Sequence, residues 1–156
     1  MASLTPKQVK TSADNFLKAA DVLLEAGLSG QAIARAHYAV QCVAEFYAYR
    51  DPRLWPRDRH DPSKPAERFY HSEVPAVVWQ VMEHRSVRKA TEQDPHDCKA
   101  LASQLLTQRM EADYRGYKDV SKEFARSLIS QAKLLVKELI DEIPDVVPKP
   151  PKQGNS

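Results

Sequence analysis

Leu101, Leu105, Arg109 and Asp113 follow one another at steps of four residues and bring charge into an otherwise apolar stripe. Residues so spaced share one face of an α-helix, so a helix that buries the two leucines also brings Arg109 to the buried seam. An unpaired guanidinium is too costly there. Asp113 is the nearest partner, but it cannot satisfy every guanidinium donor. Either a neighbouring helix supplies acceptors, or Arg109 opens into a cleft and binds an anion such as a phosphate.

The same residues also fit an ordinary structural role. Arg109 and Asp113 can form an intrahelical ion pair that fixes the register of a helical bundle. Tyr114 follows directly, and it is either a core tyrosine with a satisfied hydroxyl or a catalytic group. We therefore take Arg109, Asp113 and Tyr114 as candidate catalytic residues and leave the structural alternative open.

Four further residues are candidates for binding a ligand. Arg35, His37 and Tyr38 can line the same cleft, and Arg35 lies at the edge of an apolar helical arc, so we expect it to be half-buried or to line that cleft. The alternative for His37 is an exposed or hydrogen-bonded helical histidine. The alternative for His71, which directly precedes a predicted helix start, is a local hydrogen-bonding role.

Two basic stretches carry weaker signals. Arg53 and His60 lie in a proline-rich loop, where a solvated turn is the alternative to a functional pair. The cluster from His84 to Lys89 indicates either a solvated helix face or a surface that binds a phosphate backbone. His, Cys and carboxylate positions show no recurrent ligand spacing, so we expect no metal and no cofactor. The four glycines form neither a phosphate-binding loop nor a nucleophile elbow.

Composition favours one soluble domain. The 156 residues are enough to form a single hydrophobic core. The 23 Lys and Arg residues nearly balance the 21 Asp and Glu residues, so the net charge does not indicate a nucleic acid or a membrane as the binding partner. Cys42 and Cys98 stand far apart, which favours reduced thiols and a cytoplasmic location. The N-terminal stretch lacks the apolar core of a signal peptide, and no segment approaches the length of a membrane span.

Capping signals and apolar periodicity predict five helices. The first begins with a capping box at Thr5 to Gln8 and stops at Gly27. Ser29 is expected to cap the second helix, and Ser72 to start the third. The third contains a β-branched run, but a helix is preferred because no second strand-like segment exists to pair with it.

The fourth helix is predicted to begin at Asp94-Pro95 and to end just before Gly116. Asp119 or Ser121 then caps the fifth, which has the clearest apolar seam, running from Phe124 to Ile143. The predicted fold is all-α, an up-and-down bundle of about five helices with a proline- and arginine-rich loop between helices 2 and 3. Residues 1–143 form a single domain, and residues 144–156 form a disordered, proline-rich tail.

Three segments resemble signatures of the HEPN-domain family. The segment from Gly30 to Tyr47, GQAIARAHYAVQCVAEFY, resembles the family's A-x-x-R-A-Y-Y-A helix, with His37 in place of the first tyrosine. His71 followed by SEVPAVVW is similar to its segment of a histidine, small residues and a helix. Arg109 to Tyr114, RMEADY, matches its R-x-x-A-D-Y signature. The resemblance covers roughly residues 12 to 143, with the order and spacing of the signatures preserved.

This resemblance implies a helical bundle that dimerises, in a family that includes metal-independent ribonucleases of toxin-antitoxin and phage-defence systems and partners of small nucleotidyltransferases. Catalysis in the ribonuclease members uses an arginine followed after four to six residues by a histidine. In that mechanism the arginine stabilises the negative charge on the phosphate, and the histidine transfers the proton as a ribose 2′-hydroxyl attacks. Here Tyr114 stands where that histidine is expected, and a phenol with a reference pKa of about 10 is a poor base at neutral pH.

Three hypotheses follow from this departure. The first is a HEPN-like dimeric module that binds RNA or a nucleotide and regulates without the standard catalytic histidine. The second is an RNA endonuclease that uses Arg109 with Asp113, Tyr114 or a loop histidine. The third is a scaffold for a nucleotidyltransferase partner.

Overall fold

The computed structural model describes residues 4–114, without the side chain of Tyr114, and residues 120–143. Within these ranges the chain forms five α-helices and contains no β-strand beyond one isolated bridge between Arg57 and Pro65. The all-α prediction is therefore confirmed for this part of the chain. The helices are α1 (Pro6–Glu25), α2 (Ser29–Arg50), α3 (Val74–Val87), α4 (Pro95–Tyr114) and α5 (Lys122–Asp141).

Both predicted ends of α1 are confirmed. The Thr5 hydroxyl accepts a hydrogen bond from the Gln8 amide at 3.2 Å, and the Gln8 side chain accepts one from the Thr5 amide at 2.8 Å. This reciprocal pair satisfies two amides that the first helical turn leaves without partners. At the other end, Gly27 has a φ of 79°, the left-handed conformation that ends many helices.

Two predicted caps are wrong. Ser29 lies inside α2 and is buried, and Leu28, which precedes it, makes no side-chain cap bond. Ser72 lies within a 3₁₀ turn from His71 to Glu73 and does not cap α3, which starts at Val74, the first residue of the predicted segment VPAVVWQ. The preference for a helix over a strand in this segment is confirmed.

The starts of α4 and α5 follow their capping residues. Asp94 Oδ1 accepts from the amide of His96 at 2.8 Å. Ser121 caps α5, where its hydroxyl accepts from the amide of Phe124 at 3.1 Å. Gly116, Asp119 and the tail from residue 144 lie outside the described residues.

Helix α2 is the central element, since it packs against α1, α3, α4 and α5. Small buried residues along it allow this close approach on several sides. They are Ala32, Ala34, Ala36, Ala39, Val40, Val43, Ala44 and Ala48. A side chain on α2 therefore meets residues from distant parts of the sequence.

The segment between α2 and α3 packs onto the bundle. It contains a 3₁₀ turn from Pro52 to Leu54, and the Trp55 indole donates a hydrogen bond to the carbonyl of Ala66 at 2.8 Å. The Trp55 and Phe69 rings lie 5.7 Å apart, and Phe69 is buried. None of the helices in residues 4–114 and 120–143 combines the length and apolar character needed to cross a membrane.

Candidate functional site

Arg109 is buried near the C-terminal end of α4, with 7% of its surface exposed. Its Nε lies 3.0 Å from Asp113 Oδ2, one helical turn further along. The hydroxyl oxygen of Tyr38 on α2 accepts from Arg109 Nε at 3.4 Å and from Nη2 at 3.3 Å. Of the two alternatives that the sequence left open, a neighbouring helix thus supplies one acceptor, the Tyr38 hydroxyl.

Tyr38 joins the ionic groups of this site. Its hydroxyl donates to Asp113 Oδ2 at 3.3 Å while accepting from Arg109. The guanidinium carbon of Arg109 lies 5.5 Å from the centre of the Tyr38 ring, and that of Arg35 lies 5.8 Å from it. Cation–π attraction and hydrogen bonding thus hold one phenol between two guanidinium groups and a carboxylate.

Arg35 is exposed and not half-buried, so of the two expected positions it takes the one that lines a groove. It lines a groove beside α1 together with Phe16, whose ring lies 5.8 Å from that of Tyr38. Arg35 lies at the edge of the apolar face of α2. Helix α1 covers that face but not its edge, so the Arg35 side chain reaches solvent. Arg35 therefore places a solvated positive charge beside the buried part of the site.

His37 and His71 form the inner wall. Nε2 of His37 and Nδ1 of His71 are 3.4 Å apart, and the direction of this hydrogen bond depends on the tautomers. His37 is fully buried, which excludes the exposed alternative, and its Nδ1 has no hydrogen-bond partner among the described residues. Burial, His71 and Arg109 together lower the pKa of His37 to about 3.

His71 is half-buried, and it lies between the inner wall and the solvent. Burial and the positive charge of Arg109 lower its pKa from the usual value, while Asp113 opposes this shift. Both imidazoles are therefore neutral at pH 7. A neutral imidazole can donate one hydrogen bond and accept another, so the wall is polar but uncharged.

The six residues Arg35, His37, Tyr38, His71, Arg109 and Asp113 make up what we call the Arg109 cluster. Its ionised side chains at pH 7 are two guanidinium groups and one carboxylate, which leaves one net positive charge. Arginine binds phosphate and carboxylate oxygens through paired N–H donors. The cluster is thus suited to an anion with several oxygens.

Other candidates lie elsewhere. Arg53 forms an ion pair with Asp51 at 2.8 Å, and His60 is exposed in the loop. The side chain of Tyr114 lies outside the described residues. Among the residues that the structure describes, no group of three His, Cys, Asp or Glu side chains is arranged to hold a metal ion.

The interpretation of residues 84–89 as a solvated face missed Arg85. This side chain is 5% exposed and pairs with Glu138 and Glu142 at the end of α5. The partners are more than fifty residues away in sequence, and no local pattern links them to Arg85. Only the tertiary arrangement of the bundle brings the Arg85 side chain to the end of α5.

No protein-family model and no curated protein matches this chain.

Proposed function

We propose that this protein is a HEPN-like dimeric module that binds the phosphate of RNA or of a nucleotide through the Arg109 cluster. The observation that carries the proposal is the convergence of three separate sequence signatures on one site. Tyr38 comes from the first, His71 from the second, and Arg109 with Asp113 from the third. Hydrogen bonds and ring contacts connect all three segments.

The pairing of Arg109 supports an anion-binding role. Asp113 occupies one side of the guanidinium, and 38% of its own side chain is exposed. A phosphate can therefore take over the guanidinium donors while the carboxylate turns into solvent. The Tyr38 hydroxyl and a neutral His71 supply further polar contacts without adding negative charge. Charge-assisted hydrogen bonds of this kind are about twice as strong as neutral ones.

Arg109→Ala tests the proposal. We expect its affinity for a fluorescently labelled single-stranded RNA to fall at least about tenfold, because it removes charge-assisted hydrogen bonds to phosphate. Fluorescence anisotropy measures this affinity, and competition by AMP shows whether a free nucleotide binds the same site. The matched control is Arg126→Ala, which removes an exposed arginine from α5. Equal RNA affinity of wild type and Arg109→Ala would reject the site.

Truncating a buried arginine also affects folding, so a second variant is needed. Tyr38→Phe keeps the guanidinium and removes one hydroxyl, and we expect a smaller loss of RNA affinity with thermal unfolding close to that of wild type. Sedimentation velocity tests the dimer, which should have twice the 17.7 kDa chain mass. A monomer at micromolar concentration would reject that part of the proposal.

The neighbouring histidines favour one alternative, a metal-independent RNA endonuclease. A ribose 2′-hydroxyl attacks the adjacent phosphate after losing its proton to a base, Arg109 stabilises the charge on the phosphate, and the leaving 5′-oxygen takes a proton from solvent. His71 is neutral at pH 7 and half-exposed, so it fits the role of base. Its Nε2 is free to accept a proton only if His71 Nδ1–H donates to His37.

RNA cleavage in the presence of EDTA distinguishes this alternative from binding alone. The endonuclease mechanism requires cleavage by wild type and its loss in both His71→Ala and Arg109→Ala, with Arg126→Ala fully active. No cleavage by wild type leaves the binding module as the function of the cluster, whereas equal cleavage by His71→Ala rejects His71 as the base.

A further inference from the structure

A second cleft lies where the C-terminal ends of α2, α3 and α5 meet. It has a volume of about 420 Å³, which falls in the range of small-molecule sites. Its charged lining is Arg50, Asp51, Arg53, Arg85, Arg88 and Glu142, and we call it the basic cleft. Arg50 is twelve residues beyond Tyr38, about 18 Å along α2, so this cleft is separate from the Arg109 cluster.

Arg85 lies at the back of the cleft. Its guanidinium pairs with Glu142 and, at 3.2 Å, with Glu138, and it also donates to the carbonyl of Ala90 at 3.2 Å. Its Nε is buried and has no hydrogen-bond partner in residues 4–114 and 120–143. A buried guanidinium with an unused donor is costly unless a further acceptor reaches it.

Glu142 occupies the position that an anion would take. One carboxylate oxygen, Oε2, contacts Arg85 and lies 3.9 Å from Arg88 Nη2. The residue directly follows α5, and about a third of its side chain is exposed, so it can turn outward without disturbing the helix. An anion with more oxygens and more charge can replace it between the two guanidinium groups.

Two arginines at the mouth of the cleft are exposed and can donate hydrogen bonds to a ligand. Arg50 is exposed and lies over the Phe46 ring, with no carboxylate partner among the described residues. Arg88 is 54% exposed, and its contact with Glu142 is long. Arg53, in contrast, is already engaged by Asp51 through two hydrogen bonds of 2.9 and 2.8 Å.

Charge in the cleft favours an added anion once Glu142 turns away. Four guanidinium groups face two carboxylates, and Glu138 behind Arg85 makes a third. The C-terminal ends of α2, α3 and α5 each add roughly half a negative elementary charge, so the excess of one positive charge is cancelled while Glu142 lies in the cleft. Turning Glu142 into solvent removes one negative charge from the cleft, so binding and the movement of Glu142 reinforce each other.

We propose that the basic cleft binds a diphosphate group, either free pyrophosphate or the diphosphate of a nucleotide, in exchange for Glu142. Arg85 and Arg88 take the phosphate that replaces the carboxylate, and Arg50 takes the second. The two phosphates of a diphosphate match these two positions, one at the back and one at the mouth of the cleft.

Isothermal titration calorimetry with inorganic pyrophosphate tests this site in the full-length protein. The double variant Arg50→Ala/Arg88→Ala changes only exposed side chains, and we expect its affinity to fall at least about tenfold. Glu142→Gln removes the competing charge and should bind at least about threefold more tightly than wild type, because bringing two like charges together is avoided. Arg126→Ala is the matched control and should bind as wild type does.

The remaining outcomes separate this site from the Arg109 cluster. Pyrophosphate affinity that is lost in Arg109→Ala and kept in Arg50→Ala/Arg88→Ala overturns the proposal without affecting the proposed function. Weaker binding by Glu142→Gln also overturns the exchange. Competition by ADP identifies a nucleotide as the source of the diphosphate, and its absence identifies free pyrophosphate. Binding of single-stranded RNA to the cleft with no binding of pyrophosphate overturns the small-ligand assignment.

Discussion

At the scale of single residues, His37 illustrates how burial changes the use of a titratable side chain. It occupies α2, the helix covered on most sides, and its only hydrogen bond among the described residues goes to another histidine. Burial disfavours the protonated form of His37, and the nearby His71 and Arg109 disfavour it further, so all three lower the pKa of His37. His37 therefore stays neutral and positions His71, while His71 alone has access to solvent.

This neutrality makes stability depend on pH. The pKa of His37 is lowered from 6.5 to about 3, so between these values the unfolded chain binds a proton that the folded protein does not. The free energy of unfolding must then decrease as the pH falls, by about 1.4 kcal/mol per pH unit below 6.5. We expect His37 to account for a loss of about 2 kcal/mol between pH 7.5 and pH 5.0, measured by urea denaturation.

His37→Gln supplies the decisive comparison. It removes the titrating imidazole, so the free energy of unfolding should fall by about 2 kcal/mol less between pH 7.5 and pH 5.0 than in wild type. This difference does not depend on the absolute stability of the variant. His60→Gln changes an exposed histidine in the loop and should keep the slope of the wild type. An identical slope in His37→Gln would show that the imidazole is not neutral in the folded protein at pH 5.0.

At the scale of the helices, two glycines near the junction of α1 and α2 have opposite roles. Gly27 has a φ of 79°, and an added Cβ would meet no atom within 4 Å, so its constraint is purely one of backbone conformation. Gly30 lies within α2, and an added Cβ would lie 3.6 Å from Ala112 Cβ, an ordinary packing distance. One position requires glycine, and the other tolerates a larger residue.

The same substitution should therefore change stability in opposite directions. Gly27→Ala forces an L-residue into the left-handed region, and we expect a loss of about 1 kcal/mol in the free energy of unfolding. Gly30→Ala adds helix propensity and a contact with α4, and we expect a gain of up to about 1 kcal/mol. Each variant is the control for the other in urea denaturation. Destabilisation by both would mean that α2 and α4 lie too close to admit a methyl group.

Helix ends and faces were predictable from sequence where local chemistry determines them. The Thr5 capping box, the Asp94 cap and the placing of Arg109 on the same face as Leu101 and Leu105 depend on residues within a few positions of one another. Ser29 was predicted wrongly because the cap depends on where the chain leaves the preceding turn. Leu28 takes that place, and Ser29 turns into the helix.

The contacts across helices could not be predicted. Tyr38 is 71 residues from Arg109, and their contact depends on how α2 crosses α4. The burial of Arg85 has the same origin, since its partners come from the end of α5. The sequence indicated which residues belong to the Arg109 cluster. Only the packing of the helices shows that the Tyr38 hydroxyl contacts both Arg109 and Asp113.

At the scale of the whole molecule, the two cysteine thiols report on whether the described bundle unfolds as one unit. Cys42 on α2 and Cys98 on α4 are both free. Burial, with Glu45 nearby, raises the pKa of Cys42 to about 12, and burial with nearby carboxylates raises that of Cys98 to about 11. The reactive thiolate is thus about a hundredfold to a thousandfold scarcer than in an unfolded chain at pH 8.

We expect both cysteines to react with iodoacetamide at least about a hundredfold more slowly in the native protein than in 8 M urea. Single-cysteine variants, Cys42→Ser and Cys98→Ser, follow each site separately across a urea series. Because α2 and α4 share one hydrophobic core, both sites should become reactive at the same urea concentration, which should match the midpoint of the loss of helicity measured by circular dichroism. Reaction of Cys98 at a clearly lower urea concentration than Cys42 would mean that α4 opens independently of α2. The contact between Tyr38 and Arg109 would then form and break within the native state, and the Arg109 cluster would not be preorganised for an anion.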